Sequence, residues 1–179
     1  MNTVKKLVFV PVALLLLLGT VDQVDAATTG TSDVILEASA TAEINIVDAS
    51  ITLTPNQTDY ETGYVSAEGA SGIDVQVRTN SSTGAVLRVQ CADAVPEITL
   101  TDLLFKTQTA PIGAGSTAQN TYIAITAADQ DLWDATVAVA AYTTIQTDIR
   151  VQNLWNYPDP GGAGTTTYTN TLTYSVVVQ

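Results

Sequence analysis

Residues 33–48 read DVILEASATAEINIVD. Its even positions are apolar and alternate with polar positions such as Glu37 and Glu43: Val34, Leu36, Ala38, Ala40, Ala42, Ile44 and Ile46. A period of two is the pattern of a β-strand with one buried face. At roughly 3.3 Å per residue the stretch would extend to about 45 Å, far beyond the usual strand of about 5–6 residues. We therefore expect it to cross a sheet corner, to split into two strands, or to reach outside its own domain.

Residues 1–26 have the pattern of a secretory signal peptide. A pair of lysines comes first, residues 7–19 form an apolar core, and Val24 and Ala26 fit a small-residue cleavage site. The apolar run is shorter than the roughly 20 residues that span a bilayer. We predict a secreted mature chain that begins near Ala27.

Composition argues against several functions. The net charge is −12, and removal of residues 1–26 leaves it unchanged because they carry two lysines and two aspartates. Such an acidic surface repels phosphate backbones and anionic lipids. We therefore expect no nucleic-acid partner, and no membrane partner after signal-peptide cleavage. Histidine is absent, which removes the Ser-His and Cys-His nucleophilic systems and most zinc sites. Paired carboxylates remain, but no spacing singles out a pair, so we predict no enzyme, no catalytic residue, no cofactor and no metal site.

Two residues are the single examples of their type after the predicted cleavage. Lys106 is the one lysine, so Schiff-base chemistry and lysine isopeptide cross-links rest on it alone. Cys91 is the one cysteine and lies on a predicted apolar face, where we expect a small buried residue. A disulfide between subunits is the alternative.

Residues 73–79 and 85–91 alternate clearly, and a turn-forming sequence at 80–84 separates them. We predict a hairpin with three inward pairs: Val77 with Leu87, Val75 with Val89, and Ile73 with Cys91.

Shorter strands are predicted at residues 51–54, 60–66, 98–107 and 122–126. In 98–107 the apolar positions change from even to odd at Asp102, which predicts a β-bulge there.

Residues 127–134 hold three aspartates that invite a calcium site: Asp129, Asp131 and Asp134. An EF-hand loop needs glycine at its sixth place and glutamate at its twelfth, where this chain has Asp134 and Ala140. We predict instead a short helical turn with Trp133 pointing inward.

Long alternating segments close the chain. After a strand at residues 136–142, residues 144–155 place one apolar set on one face: Ile145, Ile149, Val151 and Trp155. A Pro- and Gly-rich turn follows, and residues 165–178 then carry a second set in register: Tyr168, Leu172, Tyr174, Val176 and Val178.

Regularly spaced strands and turns, without a long helical period, indicate an all-β protein. We predict an antiparallel two-sheet β-sandwich of Greek-key or jelly-roll type. The expected organisation is a signal peptide at 1–26, an N-terminal strand arm at 27–47 and the sandwich domain at 48–179.

This layout resembles donor-strand filament subunits of the TasA-like biofilm-fibre and archaeal bundling-pilus type. The shared features are the signal peptide, the alternating arm directly after it, an acidic threonine-rich β domain and a closing strand at residues 168–178. In such proteins each subunit lends its N-terminal strand to the next, so the resemblance implies a homopolymer whose partners are neighbouring copies. Chaperone-usher pilins usually carry an internal disulfide, and the single Cys91 departs from that pattern.

The predicted assembly strand is therefore the apolar set of the arm: Val34, Leu36, Ala38, Ala40, Ala42, Ile44 and Ile46. A strand of this kind can be donated to a neighbour or can complete its own sheet, and both readings remain open.

We expect a secreted structural subunit of an extracellular filament, such as a pilus or fimbrium, or of a surface layer. The alternative is a secreted carbohydrate- or surface-binding module that uses exposed aromatic rings near Tyr60, Tyr64, Trp133 or Tyr157.

Two glycosylation sequons lie in predicted turns, where a sugar could be accommodated. They begin at Asn56 and at Asn80.

Overall fold

The structure is a computed structural model that describes residues 36–159 and 166–179. The predicted signal peptide and the first part of the arm, through residue 35, lie outside the described residues. Glu37–Gln179 forms one compact unit. Within the described residues it contains one α-helix, α1 (Gln57–Thr62), and nine strands: β1 (Ala42–Ile46), β2 (Tyr64–Ala67), β3 (Ile73–Thr79), β4 (Ala85–Cys91), β5 (Leu103–Thr107), β6 (Ile123–Ala124), β7 (Gln130–Ala135), β8 (Val139–Gln152) and β9 (Leu172–Val178).

The strands form two antiparallel sheets, as predicted. The larger sheet has six strands in the order β1-β3-β8-β5-β6, and β2 also pairs with β8. The smaller sheet has three strands in the order β7-β4-β9. Buried side chains from both sheets form one hydrophobic core, with Trp133, Phe105 and Leu87 among its largest members.

Strand β8 organises the larger sheet. It runs unbroken over 14 residues, so the predicted division into strands 136–142 and 144–155 is wrong. Ile145, Ile149 and Val151 are buried on one face, as predicted. Trp155 is not on that face, because the chain leaves the strand after Gln152 and makes a 3₁₀ turn at Leu154–Asn156.

Strands β3 and β4 have the predicted bounds, but the predicted hairpin between them is wrong. β3 pairs with β1 and β8, whereas β4 pairs with β7 and β9 in the other sheet. Both strands bury their odd positions against the same core, so alternation alone could not distinguish pairing from facing. The chain therefore passes from one sheet to the other between β3 and β4. Glycine is required at position 84 in this connection, because Gly84 has φ +89° and a Cβ there would lie 1.7 Å from the Ala135 carbonyl oxygen.

The predicted strand at 60–66 is wrong in its first half, because α1 occupies residues 57–62. The Asn56 side chain accepts the backbone N–H groups of Thr58 and Asp59, and Asp59 accepts the Asn56 N–H in return. This reciprocal capping box, with Gly63 at the left-handed C-cap, stabilises a single helical stretch.

Three other predictions require correction. Residues 127–134 contain no helical turn; the segment 130–135 is strand β7, although Trp133 does point into the core. Residues 51–54 form no strand. Residues 98–102 are a turn before β5 rather than a bulged strand, because the Asp102 N–H donates to the Thr99 carbonyl at 2.8 Å. The Asp102 side chain is buried and accepts hydrogen bonds from Asn153 and Tyr157.

Candidate assembly site

Part of the predicted assembly strand lies in its own chain's sheet. Ile44 lies opposite Val77 and Ile46 opposite Val75 in the antiparallel pair of β1 and β3, with Ala42 at the start of β1. These residues therefore form an edge of the six-stranded sheet.

The rest of the arm precedes β1. Leu36, Ala38 and Ala40 are exposed and belong to no strand, and Leu36 has 88% of its surface accessible. Val34 lies outside the described residues. The described part of the arm thus divides into a strand that pairs within its own chain and a preceding segment that belongs to no strand.

The outer edge of β1 carries free backbone groups. Antiparallel strands exchange hydrogen bonds at every second pair. In β1 the backbone groups of the odd positions point towards β3. At the two ends of the pair, the Asn80 N–H donates to the Thr41 carbonyl at 3.2 Å and the Val47 N–H donates to the Asp74 carbonyl at 3.0 Å. The backbone groups of the even positions face away, and no strand of the described residues pairs with them.

Strand β9 presents a matching free edge. Ala92 N–H donates to the Thr171 carbonyl at 2.8 Å, and Gln179 N–H donates to the Gly84 carbonyl at 3.2 Å. The odd positions of β9 therefore bond to β4, and the even positions from Leu172 to Val178 point their N–H and C=O groups outward. Within residues 36–159 and 166–179, nothing pairs with that edge.

The two free edges approach each other, with Cα atoms within 8 Å, and their inward side chains are incompletely covered. We call this region the β1–β9 cleft and define it by five apolar residues: Ile44, Ile46, Leu172, Tyr174 and Val176. Four are partly buried, and Ile46 remains 41% exposed. A strand hydrogen-bonded to both edges needs about 4.8 Å on each side, so insertion would require the cleft to widen slightly.

Polar groups inside the cleft lack hydrogen bonds of ordinary geometry. The Tyr174 and Thr147 hydroxyls are buried near each other but outside ordinary hydrogen-bond geometry, and the described residues give neither of them another partner. Burial raises the pKa of Tyr174 well above its ordinary value. Such buried hydroxyls raise the free energy of the arrangement in which β1 and β9 lie this close together, because each hydroxyl loses its hydrogen bonds to water.

Asn80 fixes the exit of the arm from β1. Its side-chain amide donates to the Ser39 carbonyl at 2.9 Å, and its side-chain oxygen accepts the Thr41 N–H at 2.6 Å. The Thr79 hydroxyl also donates to the Thr41 carbonyl. These bonds extend the direction of β1 back to residue 39.

An ionic cluster covers the outer face at this edge. Arg78 donates to Glu43 at 2.6 Å and lies 4.6 Å from the centre of the Tyr142 ring, whose hydroxyl also donates to Glu43. Hydrogen bonds from Arg78 and Tyr142 hold the pKa of Glu43 below its ordinary value. The cluster ties β1 to β3 and β8.

Both sequon asparagines are exposed, and both side chains are engaged. Asn56 uses its side-chain oxygen to cap α1, and Asn80 uses both ends of its amide to hold the arm. Glycosylation at Asn56 or Asn80 stays a prediction.

The acidic triplet does not converge on a metal site. Asp131 pairs with Arg88 at 2.8 Å, and Asp134 accepts the Thr117 N–H at 2.6 Å. No group of three or more acidic or cysteine side chains in the described part of the chain is placed to hold a metal ion. Cys91 is buried, as expected, and burial raises the pKa of its thiol.

The aromatic residues proposed for ligand binding separate into different environments. Trp133 is buried, and Tyr64 stacks on the guanidinium of Arg150. Tyr60 lies beside Trp155, with 5.1 Å between ring centres, and Trp155 is 77% exposed.

Sequence reasoning missed the β9 half of the cleft. It predicted Leu172, Tyr174 and Val176 to be in register on one face, but alternation cannot tell whether a neighbouring strand covers that face. A tyrosine hydroxyl on an otherwise apolar face is the one signal that the face is incompletely closed.

Comparisons of the chain with protein-family models, curated proteins and solved structures found no match. Among the described residues, no helix has the length and apolar character required to cross a membrane.

Proposed function

We propose that this protein is a secreted structural subunit of an extracellular filament or surface layer, which assembles head-to-tail by donating its arm to another copy. In this proposal the two sheets are an incomplete sandwich of Greek-key or jelly-roll type. The missing strand is supplied by the neighbouring subunit, and residues 27–40 are the donated segment.

The observation that carries the proposal is the β1–β9 cleft. It combines two free backbone edges with half-covered apolar side chains, and those are the two features that an added strand satisfies together. Ladder hydrogen bonds would form at the even positions of β1 or β9, and alternate side chains of the incoming strand would cover Ile44, Tyr174 and Val176.

The arm has the chemistry of the missing strand. Leu36, Ala38 and Ala40 alternate with Glu37 and Ser39, so one face is apolar and the other polar. Small side chains suit a narrow cleft, where larger ones would overpack.

The same arm is poorly placed to fill its own cleft. Asn80 holds residues 39–41 in line with β1, so the arm would have to reverse direction at once to lie beside that strand. The sequence of residues 36–42, LEASATA, contains no Gly, Pro, Asn or Asp, and the carbonyl of Ser39, its one turn-favouring residue, is already bound by the Asn80 side chain. A second copy is therefore the better acceptor.

Strand donation joins different surfaces of successive subunits. Contacts of this heterologous kind generate open filaments when the rotation between subunits does not close a ring.

The test is assembly of the mature protein, followed by negative-stain electron microscopy. Ala40→Asp places a charge in the donated face and should give a folded monomer without filaments, whereas Ala114→Asp, an equal charge change on an exposed loop, should assemble like the wild type. Filaments from Ala40→Asp, or from a chain lacking residues 27–40, would contradict the proposal.

One observation favours a second candidate, a carbohydrate-binding surface. The exposed Trp155 ring and the rings of Tyr60 and Tyr157 line a depression of about 240 Å³ with Pro158 and Asp159. Flat aromatic rings stack on sugar faces. Glycan binding that is lost in Trp155→Ala, with filament assembly intact, would support this role.

A further inference from the structure

Lys106 and Asp148 face each other on the outer side of the six-stranded sheet. They are directly opposite in the pair of β5 and β8, and Lys106 Nζ lies 3.2 Å from Asp148 Oδ2. The Asp148 side chain is completely buried, and the Lys106 side chain is 22% exposed. Such a pair is shielded from water, which raises the free energy of both charges.

The carboxyl group of Asp148 is held by three donors. Its Oδ1 accepts the Gly69 backbone N–H at 2.8 Å, and its Oδ2 accepts the Gln108 side-chain amide at 2.7 Å as well as facing Lys106. The two oxygens are therefore different: Oδ1 faces a backbone donor, and Oδ2 faces the amine.

Aromatic rings cover the lysine. Lys106 Nζ lies 4.6 Å from the centre of the Tyr122 ring, and Arg150 is stacked between Tyr122 and Tyr64 at 3.9 and 4.1 Å. The Tyr122 hydroxyl donates to Glu68 at 2.8 Å. These contacts fix the amine next to the carboxyl group, in the arrangement that favours reaction between two neighbouring groups.

We infer that Lys106 and Asp148 condense to an intramolecular isopeptide bond in the folded protein. A proton passes from Nζ to Oδ2, which leaves a neutral amine beside a carboxylic acid. The amine attacks Cγ, and the Gly69 N–H stabilises the negative charge that develops on Oδ1. A second proton then moves from the nitrogen to Oδ2, the Cγ–Oδ2 bond breaks, and one water molecule leaves. No oxidant or cofactor is required.

Glu68 is a positioning residue, because it holds Tyr122, whose ring lies 4.6 Å from Lys106 Nζ. It precedes Gly69, and it accepts hydrogen bonds from Tyr122 and from Arg150. Hydrogen bonds from Tyr122 and Arg150 lower the pKa of Glu68, so its negative charge holds both side chains in place.

The bond would join β5 to β8 covalently. It is independent of strand donation, because both strands lie within one subunit and away from the β1–β9 cleft. A filament of such subunits would resist mechanical unfolding of this part of the sheet.

Intact-mass spectrometry of the purified mature protein tests the inference. The expected mass is one water, about 18 Da, below the mass of the sequence. Lys106→Arg keeps the positive charge but should restore the full mass. Trypsin does not cleave after an acylated lysine, so it should leave residues 89–150 of the wild type as one internally cross-linked peptide. The mass of this peptide shows where the water was lost.

The full sequence mass in folded wild-type protein after prolonged incubation, with separate tryptic peptides 89–106 and 107–150, would overturn the bond. Glu68→Gln should form the bond more slowly than the wild type. An unchanged rate in that variant would overturn the role of Glu68 and leave the bond itself supported.

Discussion

Ile44 lies opposite Val77 across β1 and β3, and both side chains face the same interior, yet Val77 is fully buried and Ile44 is only partly covered. Neighbours on one face of a sheet normally share their environment. The difference arises because Ile44 is at the edge of its sheet and the facing edge, β9, does not cover it.

Replacing each of these two side chains by alanine should distinguish effects on folding stability from effects on filament assembly. Val77→Ala removes buried methyl groups and should lower the free energy of unfolding by about 2–3 kcal/mol. Ile44→Ala should lower it by about 1 kcal/mol, because much of that side chain is already in water. Ile44→Ala should nevertheless reduce the amount of filament more than Val77→Ala does. Urea denaturation and sedimentation measure the two quantities, and the opposite order in sedimentation would argue against the cleft as the acceptor.

Two tyrosine hydroxyls should respond differently to removal. Tyr157 donates to the buried carboxylate of Asp102 at 2.8 Å and accepts the Thr99 N–H at 3.1 Å. Tyr157→Phe should therefore cost about 1–3 kcal/mol in chemical denaturation. Tyr174→Phe removes a buried hydroxyl that makes no hydrogen bond of ordinary geometry and should stay within about 0.5 kcal/mol of the wild type or be stabilising. A large loss in Tyr174→Phe would mean that this hydroxyl has a partner in the folded protein.

The Glu43 cluster should make the β1 edge sensitive to acid. Hydrogen bonds from Arg78 and Tyr142 lower the pKa of Glu43 in the folded protein below the ordinary value of 4.5. The stabilisation is therefore fully present above that value and is lost as the pH falls through the lower, folded-state pKa. Wild type should be more stable than Glu43→Gln at about pH 7, and the two should converge at about pH 3. A constant difference between them at both pH values would show that Glu43 titrates normally.

Local patterns predicted the strands that bury one face. Residues 73–79 and 85–91 were predicted with correct bounds, because alternation over seven residues has few alternative explanations. Their pairing was wrong because two strands that face each other across a core have the same alternation as two that are hydrogen-bonded. The α1 helix was missed although Asn56, Asp59 and Gly63 are its signals in the sequence.

The sites depend on contacts between distant segments. The cleft exists because β1 and β9, the first and last strands of the described residues, are adjoining edges of different sheets. Lys106 could be singled out as the one lysine outside the predicted signal peptide, but its partner could not, because the pairing of β5 with β8 is what selects Asp148 among the acids.

Binding of the isolated arm to an armless subunit is the most direct test of strand donation. The acceptor is the protein lacking residues 27–40, and the probe is a synthetic peptide of residues 27–40, with its Ala40→Asp version as the control. Amide hydrogen exchange followed by NMR reports on each edge separately. Strand donation predicts that the wild-type peptide binds one per subunit and protects the outward amides of Tyr174 and Val176, of Ile44, or of both edges, while the control peptide protects none of them. Absence of binding, or protection that leaves both free edges unchanged, would contradict assembly by strand donation.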